Sequence, residues 1–168
     1  GSSGIGGAGH LSGELLKDAA KIDIVHVPYK GGGPAMQGLL GGQIHTYFAA
    51  PASGMGHLKV GRVRALATTG PKRAQLLPDV PTIAESGYPG YEAMNWYAYV
   101  APAKTPKEII DRLNREIVKA LAAPDVIALL QKQGMEPSSS SPEELGRYIK
   151  SEYDTWGKVV KAAGIKAQ

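Results

Sequence analysis

The sequence predicts an α/β fold with a parallel-type sheet, and two observations carry that prediction. A unit of loop, helix and short strand recurs three times within residues 1–70. The strand candidates between the helices are mostly apolar on both faces, as in a sheet covered from both sides. A third observation marks where the pattern stops. Beyond Gly70 the spacing turns irregular and proline-rich, and from Thr105 onward only amphipathic helices follow.

The elements follow in order. Residues 10–21 predict a helix, with Leu11, Leu15, Leu16 and Ala19 on one face. Residues 22–27, IDIVHV, predict a strand that Pro28 ends. Pro34 suits the first turn of a second helix, which the pair Gly41-Gly42 stops near Leu40. Residues 44–48 predict a second strand. Pro51 opens a third helix ending near Gly61, and residues 63–68 predict a third strand. Within residues 71–91, Thr82 and Glu85 hold capping-box positions of one short helix. MNWYAYVAP then predicts an extended aromatic strand. Thr105 is expected as an N-cap, with Pro106 at the first helical position and Ile109, Ile110, Leu113, Ile117 and Leu121 on the apolar face. Pro124 starts another helix, ended by Gly134. Ser141 and Glu144 form a second capping-box pattern, opening a helix that runs to Gly164.

Composition narrows the function classes. The net charge of +4 is spread along the chain, and its densest basic passage holds only Lys59, Arg62 and Arg64. A nucleic-acid surface would concentrate such residues and interleave aromatics, so no nucleic-acid partner is expected. With no cysteine, disulfides, thiol nucleophiles and thiolate metal sites are excluded. His10, His26, His45 and His57 show no metal-ligand spacing. His26 and His45 fall in predicted strands and read as structural. No nucleophile elbow, triad order or carboxylate pair stands out. Neither a cofactor nor a metal is implied.

Two glycine loops carry the binding prediction. The first, residues 1–9, precedes a helix, where unpaired N–H groups and the helix dipole favour an anion. Its glycines allow close approach to the main chain, and Ser2 and Ser3 add hydroxyls. The run Gly4-Ile5-Gly6-Gly7-Ala8-Gly9 formally matches the dinucleotide pattern G-x-G-x-x-G. No strand precedes it, however, and the acid that follows, Asp23, begins the next strand instead of ending it, so dinucleotide binding is disfavoured. The second loop, PYKGGGPA, follows a predicted strand and contains Tyr29, Lys30, Gly31 and Gly32. Ligands of open α/β sheets gather at such strand ends. Lys30 reads as solvated.

These passages together resemble one family. The opening GSSGIGGAGHLSGELLKDAAKIDIVHVPYKGGGPAMQGLLGGQI, the central VGRVRALATTGPKRAQLLPDVPTIAESGYPGYEAMNWYAYVAPAKTPKEIIDRLN and the closing YIKSEYDTWGKVVKAAGIK are similar to the Bug family. Its members are periplasmic receptors of tripartite tricarboxylate transporters. The resemblance covers essentially the whole chain. It implies a type II periplasmic-binding fold, with a solute held between two α/β lobes and a hinge near residues 94–101. The family is about twice this length. The implied division is therefore residues 1–94 as one ligand-binding lobe and 95–168 as a hinge strand plus helices of a second, incomplete lobe.

The resemblance also implies site residues. A solute carboxylate would meet Ser2, Ser3, Gly4, Gly6, Gly7 and His10, with Tyr29, Gly31 and Gly32 nearby. Many relatives carry Ser or Thr where this chain has Gly7 and Ala8, and Asp where it has Ala49. Without that acid an ammonium group lacks a partner, so a simple carboxylate fits better than an amino acid. The expected partners are a small organic carboxylate and the membrane permease subunits, with homodimerisation or domain exchange through the C-terminal helices. The alternative is an α/β enzyme acting on a phosphorylated small molecule. It requires a catalytic acid, base or metal beside the loop, and the sequence offers none.

Overall fold

The computed structural model describes residues 1–165. They contain six helices, α1 (Ala8–Ala20), α2 (Gly32–Leu40), α3 (Pro51–Lys59), α4 (Lys107–Leu121), α5 (Pro124–Lys132) and α6 (Pro142–Ala162). The chain forms two compact units. One comprises Gly1–Asn95 together with the residues from Trp156 on; the other is Trp96–Thr155.

In the first unit, local chemistry sets the helix ends. Gly31, at φ 108°, turns the chain into α2 in a conformation that side chains resist. α3 opens with Pro51, whose missing N–H costs nothing at a helix start. α2 buries Ala35 and Met36 and packs against α3. The centre of this unit is Ile83, Tyr91 and Ala93, with Leu15 and Leu16 of α1, Phe48 and Trp156 packed around them.

The expected parallel sheet is not seen among the described residues. Two isolated bridges stand in its place, Ser2 with Pro28 and Thr68 with Thr82, and both are parallel. The predicted strand at residues 22–27 leaves Val25 84% exposed and Ile22 45% exposed. A parallel ladder needs a neighbour along the whole strand edge. The segments near residues 27 and 47 instead share one short neighbour, residues 1–3. The Ser2 N–H donates to Val27 O at 3.2 Å, and the Phe48 N–H donates to Gly1 O at 3.3 Å. The chain near Thr68 is held similarly: its N–H donates to Pro81 O, and its carbonyl accepts the Ile83 N–H, each at 2.9 Å.

In the second unit, α4 and α5 lie against each other. Neither helix buries a residue, and α6, which runs on into the first unit, buries none either. Ile109 and Leu113 of the predicted apolar face remain about half exposed, at 50% and 46%. The aromatic segment after Met94 forms no strand, and Tyr97 and Tyr99 are 75% and 77% exposed. The capping box of α6 forms as expected: the Ser141 N–H donates to Glu144 Oε2, and the Glu144 N–H to Ser141 Oγ. The Thr105 cap does not. Pro106 takes the N-cap position of α4, and no side chain bonds there.

Candidate functional site: three helix starts on adjoining loops

Residues 1–3 bring three helix starts together in the first unit. On one side, the Tyr29 N–H donates to Ser2 O and the Gly31 N–H to Ser3 O, each at 3.0 Å. On the other, the Gly1 amino group donates to Thr46 O at 2.7 Å. The loops entering α1, α2 and α3 therefore adjoin. The contacts are close, and at Gly9 they exclude a side chain. A Cβ on Gly9 would lie 2.7 Å from Phe48 O, and one on Gly32 would lie 3.2 Å from the Tyr47 hydroxyl and 3.3 Å from Ser53 Cβ.

These three starts share an electrostatic property. No side chain caps Gly7, Gly31 or Ala50, and no acidic residue stands in the first turn of α1, α2 or α3. The other three helices carry acids there: Glu108, Asp125, and Glu143 with Glu144. An α-helix N-terminus holds roughly half a positive charge, normally offset by caps and acids. In α1–α3 that offset is missing, an arrangement that favours an external anion.

The predicted site residues fall into distinct places. Ser3, Gly4, Gly6 and Gly7 line the approach to α1, and Gly31 and Gly32 the approach to α2; Ser3 and Gly6 are exposed. Gly6 has φ 74°, in the region that favours glycine. Ala49 is exposed next to the N-cap of α3. Ser2 is turned inward: it is fully buried, and its hydroxyl donates to Gly4 O at 2.9 Å. Tyr29 sets its ring between Gly38 and Gly1, with its hydroxyl 3.4 Å from Gln43 Oε1. Lys30 is exposed.

His10 is buried beneath the first loop, and its Nδ1 accepts the Gly6 N–H at 3.0 Å. His26 was missed as a site residue. Its Nε2 lies 2.6 Å from Ser2 Oγ, and its ring stacks on that of His10 at 3.7 Å. The available signal was that His26 sits two residues before Pro28, at the same strand end as the second glycine loop. Burial holds the pKa of both histidines below the usual imidazole range, and that of His26 falls to about 4.

One cavity lies away from the helix starts. It measures about 360 Å³, between Leu15 and Ala19 in the second half of α1 and residues 87–91, and lacks the donors of the helix starts. Among the described residues, no group of three His, Cys, Asp or Glu is placed to hold a metal ion. Nor is any helix there long and apolar enough to cross a membrane.

Comparison with known proteins decides the family. The model for TctC, the tripartite tricarboxylate transporter family receptor, matches residues 1–165. The chain belongs to this family. Among curated relatives of the receptor, the "UPF0065 protein in tcbD-tcbE intergenic region" of Pseudomonas sp. strain P51 is 40% identical over 160 residues, 95% of this chain and 48% of that protein. Three solved structures share the fold. Rpa4515 of R. palustris with adipate has a TM-score of 0.86 at 39% identity, covering 95% of this chain and 54% of that one. The periplasmic binding protein BugD has a TM-score of 0.79 at 34% identity, over 99% and 57%. MatC (Rpa3494) from Rhodopseudomonas palustris with bound malate has a TM-score of 0.75 at 32% identity, over 90% and 53%. The chain thus spans about half the length of the curated relatives it matches. The family is one of receptors and binding proteins, not of enzymes, which removes the phosphorylated-substrate alternative.

Proposed function

We propose that this chain supplies one wall of a carboxylate-binding site in a periplasmic receptor, which delivers a small dicarboxylate to the membrane subunits of a tripartite tricarboxylate transporter. One observation carries the proposal: three adjoining helix starts lack both caps and first-turn acids. A carboxylate would accept main-chain N–H bonds from Gly7 and Gly32, with Ser3 adding a hydroxyl, while the Gly6 and Gly31 N–H groups hold the two loops in shape through His10 Nδ1 and Ser3 O. Ser2 and His10 hold the loop, and Ala49 leaves the third start free of negative charge. The structures with adipate and malate support a dicarboxylate. Residues 1–94 act as the binding lobe and 95–168 as hinge and partial second lobe. The exposed Ile109, Leu113 and Tyr153 favour pairing of copies through α4 and α6.

Isothermal titration with adipate and malate tests the proposal, with glutamate as the ammonium-bearing control. Binding of at least one dicarboxylate, tighter than glutamate, is expected. Gly7→Asp is the matching variant, because Gly7 has φ −74° and ψ 165°, an ordinary N-cap conformation. An aspartate there caps α1 from within, so affinity should fall while stability holds or rises by about 1 kcal/mol. If neither dicarboxylate binds, or if Gly7→Asp binds as well as the parent, the proposal fails.

A further inference from the structure

The rings of His10 and His26 lie face to face, with centroids 3.7 Å apart and planes 8° from parallel. Each ring holds a different part of the first glycine loop. The Gly6 N–H donates to His10 Nδ1 at 3.0 Å. That nitrogen must therefore be bare, and the ring proton sits on Nε2. On the other ring, the Ser2 hydroxyl already donates to Gly4 O at 2.9 Å, so the 2.6 Å contact with His26 Nε2 is completed by the imidazole N–H. Ser2 also accepts the Gly4 N–H at 3.3 Å. Two neutral rings in fixed tautomers thus set the backbone at Gly4 and Gly6, the turn that leads into α1.

We propose that the stacked His10–His26 pair is a positioning device that makes solute capture depend on pH, closing the loop into its binding shape when both rings are neutral and releasing it when His10 takes up a proton. The inference rests on the carboxylate-binding reading above. The geometry supplies the mechanism. A proton on His10 Nδ1 would turn an acceptor into a donor that faces the Gly6 N–H, so the bond is lost and two donors oppose each other. A second proton on the pair would place like charges face to face. The surrounding charges are few: Glu14 Oε1, 3.8 Å from His10 Nε2, favours protonation, whereas Lys17 and the Gly1 amino group oppose it. Lys17 also pairs with Glu14 at 3.1 Å, which weakens the pull of that carboxylate. A water-sized space of about 30 Å³ touches His10, Glu14, Lys17 and His26 and gives protons access.

The test replaces both rings by neutral amides that keep the bonding atoms. Asn in His10→Asn offers an oxygen in place of Nδ1, and Gln in His26→Gln offers a nitrogen in place of Nε2. Adipate affinity of the parent and of the double variant is measured at pH 7.5 and pH 4.5. Adipate's own protonation weakens both proteins equally, so their ratio is the readout. Whatever the ratio of parent to variant affinity at pH 7.5, it should fall by about threefold or more at pH 4.5, as the parent's binding-ready fraction shrinks. A ratio that stays constant overturns the proposal. A merely structural pair would also give a constant ratio. Amide NMR of Gly6 supplies a ligand-free arm. Its proton shift should follow the titration of His10, with a midpoint below 6.5. A Gly6 signal indifferent to His10 overturns the proposal even if adipate binds, whereas failure of adipate to bind at any pH sinks only the carboxylate reading.

Discussion

The Tyr91 hydroxyl donates to the main-chain carbonyl of Ser12 at 2.8 Å, joining positions 79 residues apart. This bond fastens the irregular segment after Pro81 to the middle of α1. Burial pushes the Tyr91 phenol up to about 12. Tyr91→Phe keeps the ring and removes the bond. It should cost about 1 kcal/mol, since one buried hydrogen bond is worth roughly that net. A fall of about 2–4 °C in Tm is the expected readout. An unchanged Tm would show that the bond contributes nothing.

Thr68 is the opposite case. Among the described residues, its Oγ1 is buried with no hydrogen-bond partner. Leaving a hydroxyl unsatisfied costs about 1–3 kcal/mol. Thr68→Val swaps that hydroxyl for a methyl of similar size, and the backbone bonds to Pro81 and Ile83 do not involve it. Denaturant unfolding should place the midpoint of Thr68→Val above that of the parent. A lower midpoint would mean the hydroxyl is satisfied after all.

Gly9 is held by proximity, not by dihedral angle. A Cβ there would meet Phe48 O at 2.7 Å, and backbone cannot swing aside. Gly9→Ala gains helix propensity worth about 1 kcal/mol but must push α1 away from residue 48. Net destabilisation of about 1–3 kcal/mol is expected. Gly56, with nothing near its Cβ, is the control. Gly56→Ala should stabilise α3, and thermal melts of the two variants should move in opposite directions.

Stability should fall as the solution is acidified below pH 6.5. The pKa of both His10 and His26 is lowered in the folded chain, chiefly by burial, that of His26 to about 4. The unfolded chain takes up protons on these rings from about pH 6.5 downward, and the folded chain resists until lower pH. Stability is thus full above 6.5 and is lost as pH falls towards 4. The carboxylates of Glu85 and Glu144, lowered from 4.5 by backbone N–H bonds, add their loss only further down. Urea midpoints at pH 7.5, 5.5 and 4.5 report the slope. It should flatten in the His10→Asn/His26→Gln protein.

Sequence reasoning succeeded where a local pattern determines structure. Thr82 with Glu85 and Ser141 with Glu144 bond reciprocally, as their spacing implies. Gly41 and Gly42 end α2, and Pro51 and Pro124 open α3 and α5. It failed where the outcome depends on a distant partner. Residues 22–27 have the composition of a strand, but a ladder also needs an adjacent edge. Thr105 has a capping side chain, yet α4 starts one residue later than a Thr105 cap requires. Ser2 looked like a donor to a ligand because nothing local reveals His26, 24 residues on, behind it. The lack of acids in the first turns of α1–α3 was readable throughout; its meaning emerged only when the three loops proved adjacent.

Those bare helix starts have a consequence for how the protein endures. A good cap contributes about 1 kcal/mol, and three positions go without one. The protein is therefore softer than its sequence could make it, and under the proposed function the deficit lies where a carboxylate would settle. An anion settling there would complete three helices at once. Under that proposal loading and folding would be one equilibrium, and resistance to heat or protease would report how much of the protein is filled.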